Sequence, residues 1–117
     1  MIKNISADEL RNLIKNEKDK LEIIDVREPD EYELIHIKNS KSIPMIEFQL
    51  RRNEIDWKKE VVFLCRSGGR SNAITQALSR AGKDISNLQY GIAECFIGGK
   101  GENLEILEDN LIERYFG

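Results

Sequence analysis

The stretch that decides the fold is Val61-Val62-Phe63-Leu64-Cys65-Arg66-Ser67-Gly68-Gly69-Arg70-Ser71. Its first four residues are all apolar, which is typical of a strand that is buried on both faces of a parallel sheet. The apolar run stops at Cys65, and a pair of glycines follows shortly after it. From residue 71 to residue 81 the apolar side chains recur at helical spacing, and Gly82 is a natural helix stop. A buried strand, a turn and a helix predict an α/β fold with a ligand site beyond the carboxyl end of the strand.

Strand and helix patterns alternate along the rest of the chain. Strands are predicted over residues 3–5, 21–26, 42–44, 61–64 and 85–88. Helices are predicted after Ser6 and over residues 29–34, 45–52, 71–81 and 103–115. The first helix begins with Ser6-Ala7-Asp8-Glu9, whose spacing allows a capping box. This alternation predicts one α/β domain over residues 1–117, with a central, mostly parallel five-stranded sheet and helices on both faces.

Composition argues against several classes of function. The 117 residues fit one domain, and a net charge of −3 argues against general binding to nucleic acid or anionic membranes. No stretch approaches the ~18 apolar residues that a membrane-spanning helix needs, and the first residues lack the apolar run of a signal peptide. Two cysteines and one histidine are too few for a structural zinc site. We therefore expect a cytoplasmic protein without a structural zinc site, a nucleic-acid partner or a membrane partner.

The loop after the buried strand carries the strongest chemical signal. Gly68 and Gly69 allow a tight turn in which successive N–H groups point inward and form an anion-binding nest. The helix that follows adds its positive N-terminal end. Arg66 and Arg70 add full charges, so we expect the pKa of Cys65 to lie below the ~8.5 of a free cysteine. We predict that Cys65 is a catalytic nucleophile that reacts as a thiolate.

The same groups would attract an anionic substrate. One arginine could pair with the anion while the other lies on the rim, and the sequence leaves open which of them does so. Ser67 and Ser71 offer hydroxyls to the sulfur, and Ser71 could also cap the helix. The predicted substrate-binding residues are Arg66, Ser67, Gly68, Gly69, Arg70 and Ser71.

A plainer interpretation of the loop also exists. A lone cysteine after a buried strand is often a small core residue, and a pair of glycines is often only a turn. Two arginines beside the glycines, at a strand-to-helix junction, favour the functional interpretation. The loop is not a nucleotide-binding P-loop, because the Gly-Lys-Ser/Thr ending is missing, and the chain has no Cys-x-x-Cys redox pair.

With these residues in place, the chain resembles the single-domain rhodanese family of sulfurtransferases. The segment from Cys65 to Ser71 is similar to the active-site loop of that family. The first family signature is similar to Ile24-Asp25-Val26-Arg27-Glu28-Pro29-Asp30-Glu31-Tyr32. Further matching segments are His36-Ile37, Ser42-Ile43-Pro44, Ala81-Gly82 and Gly91-Ile92. The chain departs from the family pattern at Ile35 and Tyr90, where glycine is usual, and at Cys95, where tryptophan is usual.

The resemblance implies a function and a mechanism. Cys65 would take sulfane sulfur from a small anionic donor such as thiosulfate, hold it as a persulfide and pass it to a thiol or to cyanide. No metal or organic cofactor is implied. One alternative is a persulfide carrier that serves a protein acceptor. Another is a rhodanese-like phosphatase or arsenate reductase, whose loop holds one residue more than the four that separate Cys65 from Arg70.

Four further residues each allow two interpretations. Asp25 and Arg27 end the second predicted strand and form either a structural ion pair that braces the loop or part of the catalytic group. His36 is either a general base or a structural residue. Cys95 is either a resolving thiol that forms a disulfide with Cys65 or a buried apolar thiol.

Overall fold

A computed structural model of the chain describes residues 2–99 and 104–106. The strands are β1 (Ile2–Ile5), β2 (Leu21–Asp25), β3 (Ile35–Ile37), β4 (Lys41–Ser42), β5 (Glu60–Leu64), β6 (Ile85–Leu88) and β7 (Leu104–Ile106). The helices are α1 (Ala7–Glu17), α2 (Pro29–Leu34), α3 (Phe48–Arg51), α4 (Gly69–Arg80) and α5 (Gly91–Gly99). Short 3₁₀ turns cover Lys18–Lys20, Met45–Glu47 and Arg52–Glu54.

Five parallel strands form the main sheet, in the order β1-β6-β5-β2-β4. This arrangement confirms the predicted α/β fold and its five-stranded sheet. β5 lies in the middle, with β2 hydrogen-bonded on one side and β6 on the other. Cys65 follows β5 directly and therefore lies at the centre of the carboxyl edge of the sheet. Ligands bind at this edge in open α/β sheets.

The side chains of β5 alternate between two apolar cores, as the geometry of a strand requires. Val62 and Leu64 pack in a core with α1 and α5, whereas Val61 and Phe63 pack in a core with α3 and α4. The helices therefore cover both faces of the sheet, as predicted. Because each face of β5 is buried, its sequence is apolar without alternation.

Local signals in the sequence account for several element boundaries. Ser6 caps α1, because its hydroxyl accepts a hydrogen bond from the Glu9 amide while the Glu9 carboxylate accepts one from the Ser6 amide. α2 has the predicted bounds and begins at Pro29. α4 begins two residues before the predicted start, because Gly68, with a φ of 102°, already occupies the N-cap position.

The region after β2 is less regular than predicted. β4 covers Lys41–Ser42 and stops before Pro44, which has no N–H group for a sheet hydrogen bond. The helix predicted over residues 45–52 is divided into α3 and the two 3₁₀ turns that flank it. β4 is nevertheless an edge strand, as expected.

The prediction of a helix over residues 103–115 is wrong where the structure describes it. Leu104–Ile106 form β7, which pairs antiparallel with β3 in a second, two-stranded sheet. The spacing of the leucines is typical of a helix, but the conformation of so short a strand depends on its pairing partner. Residues 103 and 107–115 of the predicted helix lie outside the described residues. β3 and α5 are elements that the sequence did not predict.

No helix in the described part of the chain is long and apolar enough to cross a membrane. Among residues 2–99 and 104–106, no three His, Cys, Asp or Glu side chains lie together as a metal site would need. The single domain over residues 1–117 stays a prediction.

Candidate active site

Cys65 lies at the base of the loop that joins β5 to α4. It is only 1% exposed, and its Sγ accepts a hydrogen bond of 3.1 Å from the backbone N–H of Gly68. The hydroxyl of Ser71, in the first turn of α4, lies 3.6 Å from the same sulfur. The structure therefore places the predicted nucleophile in contact with donors from the predicted loop.

These surroundings lower the pKa of the Cys65 thiol. Burial is the largest single influence and acts in the opposite direction, because a thiolate loses solvation away from water. The hydrogen bonds together outweigh burial: they come from the amide and hydroxyl of Ser71 and from the amides of Gly68 and Ser67. Most of these donors are backbone N–H groups, so the predicted nest, more than the arginine charges, favours the thiolate.

The two glycines of the loop have different roles. Gly68 has a left-handed φ of 102°, and a Cβ at this position would lie 2.0 Å from the carbonyl oxygen of Gln89. Any other residue would clash there. At Gly69 a Cβ would meet nothing within 4 Å. Of the predicted pair, only Gly68 is required by the shape of the backbone.

The start of α5 holds the outer side of the loop. Ile92 and Ala93 donate their backbone N–H groups to the carbonyl oxygens of Cys65 and Arg66, at 3.0 and 3.2 Å. These carbonyls therefore point toward α5. Gly91 makes the approach possible, because a Cβ there would lie 2.3 Å from the Arg66 carbonyl oxygen. Gly91 has a left-handed φ of 70°. This glycine is the feature of the sequence that could have indicated that the segment supports the loop.

The two loop arginines have different surroundings. Arg66 is exposed. Arg70 forms a two-pronged ion pair with Glu31 of α2, with Nη1–Oε1 and Nη2–Oε2 distances of 2.8 and 3.1 Å. The Glu31 carboxylate also accepts a hydrogen bond from the amide of Glu28 and so completes the capping box of α2. Glu31 is a site residue that the sequence did not predict, because its partner is 39 residues away.

Asp25, the last residue of β2, and Arg27 form a fully buried ion pair. Arg27 Nε and Nη2 donate to the Asp25 carboxylate at 2.9 and 2.7 Å, and Nη2 also donates to the carbonyl oxygen of Ile35 at 2.6 Å. The guanidinium therefore ties the end of β2 to the start of β3 and fixes both ends of α2. The pair supports the helix whose Glu31 holds Arg70, which is the geometry that a structural role requires.

Cys95 lies on the other side of the sheet from Cys65. It packs in the core of α1 and α5, whereas Cys65 packs in the core of α3 and α4. Burial raises the pKa of the Cys95 thiol to about 11, while the charge of Arg11 lowers it slightly and that of Glu94 raises it slightly. The thiol is therefore protonated at neutral pH. This placement fits a buried apolar thiol and not a resolving partner for Cys65.

His36 lies in β3, and its side chain contacts α2. Its Nδ1 lies 2.8 Å from the carbonyl oxygen of Tyr32, and the centroids of the two rings are 4.1 Å apart. The side chain is half-buried. These contacts fit the structural interpretation of His36.

Comparison with protein families identifies the domain that carries this site. The family model described as the rhodanese-like domain matches residues 6–95, from the N-cap of α1 to Cys95 in α5. The chain belongs to the rhodanese-like domain family. The matched region contains the whole loop after β5 and every side chain of the site described above.

Several rhodanese relatives have names that refer to sulfur transfer. The chain is 39% identical over 82 residues to the uncharacterized protein YqhL of Bacillus subtilis, covering 69% of this chain and 64% of that protein. It is 32% identical over 94 residues to YrkF of the same organism, which carries a sulfur-carrier name, covering 80% of this chain and 50% of that protein. It is 35% identical over 92 residues to the thiosulfate sulfurtransferase GlpE of Coxiella burnetii, covering 78% of this chain and 84% of that protein. The chain thus spans between half and two thirds of the two Bacillus relatives.

A solved structure shows the same rhodanese fold. A rhodanese-like domain protein from Staphylococcus aureus shares 30% sequence identity with this chain, with a TM-score of 0.75. The match covers 91% of this chain and 99% of that one. The family match and the solved structure together show that this chain has the rhodanese-like fold.

Proposed function

We propose that this rhodanese domain transfers sulfane sulfur from thiosulfate, or a similar small anionic donor, to a thiol or cyanide acceptor through a persulfide on Cys65. The observation that carries the proposal is the position of the Cys65 sulfur. It is buried after the central strand, where N–H groups of Ser67, Gly68 and Ser71 converge on it. The name of the Coxiella relative supports thiosulfate as the donor.

Two displacement steps account for the transfer. In the first, the Cys65 thiolate attacks the outer sulfur of thiosulfate, the S–S bond of the donor breaks, and sulfite leaves with the bonding electron pair. The new Sγ–S bond makes Cys65 a persulfide. In the second step, an acceptor thiolate or cyanide attacks the terminal sulfur, the Sγ–S bond breaks, and Cys65 leaves as a thiolate. The two steps balance without an added oxidant or reductant.

The loop stabilises negative charge in both steps. The N–H groups that favour the thiolate also lie beside the persulfide, in the manner of an oxyanion hole. Arg66, exposed on the loop, attracts the anionic donor from solvent. Arg70 adds a second positive charge, which its ion pair with Glu31 partly neutralises.

The phosphatase alternative fits this site less well. Four residues separate Cys65 from Arg70, whereas the loops of rhodanese-like phosphatases hold one more. In addition, Glu31 engages both terminal nitrogens of Arg70. Those are the donors that a bidentate arginine would offer to a phosphate. Both observations favour sulfur over phosphate or arsenate.

Intact-mass spectrometry tests the proposal. Thiosulfate should add ~32 Da, one sulfur atom, to the protein, and cyanide should then remove it, because the persulfide is a covalent intermediate. Cys65→Ser should abolish the adduct, and Cys95→Ser, the matched control, should retain it. An adduct on Cys95 alone would contradict the proposal. So would aryl-phosphate hydrolysis that depends on Cys65 in a protein that takes up no sulfur.

A second candidate function is a persulfide carrier that discharges to a protein thiol. Exposed apolar side chains beside the site favour it, because Met45 and Ile46 follow β4 and Tyr90 follows β6, on the same edge of the sheet as Cys65. A carrier would load fully with thiosulfate but form thiocyanate slowly at saturating cyanide. Rapid, repeated turnover with cyanide would favour the enzyme.

A further inference from the structure

A row of polar side chains leads from the surface to the nucleophile. Asn87 of β6 pairs with Phe63 and with Asn4 in the sheet, so its side chain shares the face on which Phe63 packs against α4. It is only 2% exposed. Asn87 Nδ2 donates to Oδ1 of the exposed Asn4 at 3.3 Å, and Asn87 Oδ1 accepts a hydrogen bond of 2.6 Å from Ser71. The Ser71 hydroxyl in turn contacts Cys65.

The Ser71 hydroxyl has one proton and three acceptors within reach. These are Asn87 Oδ1 at 2.6 Å, the carbonyl oxygen of Gly68 at 3.2 Å and Cys65 Sγ at 3.6 Å. A hydroxyl donates only one hydrogen bond at a time. When Cys65 is a neutral thiol, the short contact holds the proton at Asn87. When the sulfur is anionic it competes for the same proton, because a charged acceptor makes the stronger hydrogen bond.

We propose that Asn87 is a positioning residue for the sulfur chemistry, whose carboxamide decides whether the Ser71 proton points to Asn87 or to Cys65 Sγ. This inference rests on the proposed function, which needs an anionic sulfur before and after each transfer. While Oδ1 faces Ser71, the shorter contact with Asn87 draws the hydroxyl proton away from the sulfur and weakens the hydrogen bond that the sulfur receives. When the carboxamide turns over, Nδ2 donates to the Ser71 oxygen and the hydroxyl proton is released to the sulfur. No proton enters or leaves the network in this exchange.

The charged groups of the site stay unchanged in Asn87→Leu, the uncharged variant that tests this role. They are Asp25 at the end of β2, Arg27 after it, Glu31 on α2, Arg66 in the loop and Arg70 on α4. A change in the ionisation of Cys65 that follows an uncharged substitution of Asn87 therefore reports on hydrogen bonds and not on a new charge.

The test measures the rate of Cys65 alkylation by iodoacetamide against pH, with no sulfur donor present. Asn87→Leu removes both polar atoms of the carboxamide at similar volume. The Ser71 proton is then left to the Gly68 carbonyl oxygen and the sulfur, and the anionic sulfur is the stronger acceptor of the two. The midpoint of the alkylation profile should fall by about 1 pH unit. An unchanged or raised midpoint would overturn the inference. Ser86→Ala is the matched control and should not move the midpoint, because Ser86 is buried beside Asn87 but pairs with Val62, which faces the other core.

A double-mutant cycle shows whether Asn87 acts through Ser71. In a Ser71→Ala background, Asn87→Leu should leave the midpoint where it is, and a shift as large as in the wild type would sink the inference. Asn87→Asp provides a second arm should Asn87→Leu fail to fold. A carboxylate holds the Ser71 proton and should raise the midpoint, and by less when Ser71 is Ala. Equal rises in both backgrounds would also overturn the role of Asn87.

Thiosulfate loading of the same proteins separates this inference from the proposed function. A wild-type protein that alkylates at Cys65 but gains no ~32 Da adduct contradicts the sulfurtransferase proposal. A wild-type protein that loads normally, with no shift of the alkylation midpoint in Asn87→Leu, contradicts only the role of Asn87.

Discussion

Two adjacent glycines in the loop differ in how strictly the backbone requires them. The left-handed turn at Gly68 aims its N–H group at the Cys65 sulfur and brings its Cα against the Gln89 carbonyl. Gly69, one residue later, starts α4 in open space. The sequence shows two identical residues, whereas the structure gives the geometric constraint to only one of them.

This difference predicts opposite effects of one substitution at neighbouring positions. Gly68→Ala should lower the free energy of unfolding by about 1–3 kcal/mol and slow alkylation of Cys65, because the new methyl group forces the turn open. Gly69→Ala, the matched control, should be neutral or stabilise the protein by about 0.4–1 kcal/mol, because alanine favours the helix that begins there. Urea unfolding measures both. Equal destabilisation by the two changes would contradict the assignment.

Among the elements, α2 is the one that the site depends on indirectly. Arg27 fixes both ends of α2, because it donates hydrogen bonds to Asp25 before the helix and to the carbonyl oxygen of Ile35 after it. Glu31, which lies on α2 itself, forms an ion pair with Arg70 at the start of α4. A helix of six residues has little stability of its own, so these contacts fix its position against the loop.

The ion pair between Glu31 of α2 and Arg70 of α4 predicts that the Glu31 carboxylate weakens the binding of thiosulfate. Glu31→Gln keeps an oxygen for the capping box but removes the charge that repels an anion and neutralises Arg70. The KM for thiosulfate should fall about two- to fivefold with little change in kcat, as expected for a partly exposed ion pair.

Steady-state kinetics with cyanide as acceptor measure this effect. Glu33→Gln, an equal change of charge at an exposed position of the same helix, is the control and should leave the KM unchanged. Arg70→Ala should raise the KM and abolish the effect of Glu31→Gln. A raised KM in Glu31→Gln would show that Glu31 helps to present Arg70 and does not restrain it.

The elements that could be predicted from the sequence are those with local signals. β5, the loop and α4 are marked by an apolar run, a glycine turn and a helical period within about twenty residues. The capping box at Ser6 and the proline at the start of α2 are equally local. β3 and β7 have no such local signals. Each of these three-residue strands forms by pairing with the other, which is distant in the sequence. α5 has glycines at both ends, and its first N–H groups bond to the loop and not to a local cap.

The same distinction holds for the residues of the site. Cys65 and its loop donors lie within seven residues of one another, so their proximity could be predicted from the sequence. Glu31 meets Arg70 across 39 residues, and Asn87 meets Ser71 across 16. Both partners come from other elements of the fold, so that only the packing of α2 and β6 around the loop identifies them.

For the molecule as a whole, the sheet gives its two thiols opposite electrostatic surroundings. Cys65 has a lowered pKa, so its stabilising contribution is present above the pKa of an unfolded cysteine and is lost as the pH falls through its folded value. The pKa of Cys95 is raised to about 11, so its contribution is complete below the unfolded value and is lost as the pH rises toward 11. Of the two thiols, only Cys95 therefore loses its stabilising contribution as the pH rises above the pKa of an unfolded cysteine.

This asymmetry predicts a specific loss of stability in base. Between about pH 9 and pH 11 the unfolded chain ionises at Cys95 while the folded protein does not, which costs roughly 3 kcal/mol in total. Cys95→Ala should reduce that part of the decline, although the cavity lowers its stability at neutral pH. Urea unfolding at pH 8 and pH 10.5 measures the slope. Cys65→Ser, the control, should decline as steeply as the wild type, and equal slopes in all three proteins would contradict the prediction.

The central sheet also separates the two cysteines of the chain. They pack in cores on opposite faces of the sheet. A neighbouring thiol could discharge a persulfide by closing a disulfide, but Cys65 has no such outlet inside its own fold. Under the proposed function, sulfur on Cys65 would therefore leave only to an acceptor that arrives from solvent. A loaded protein would then store one sulfur atom, and the supply of acceptor would set how long the sulfur is kept.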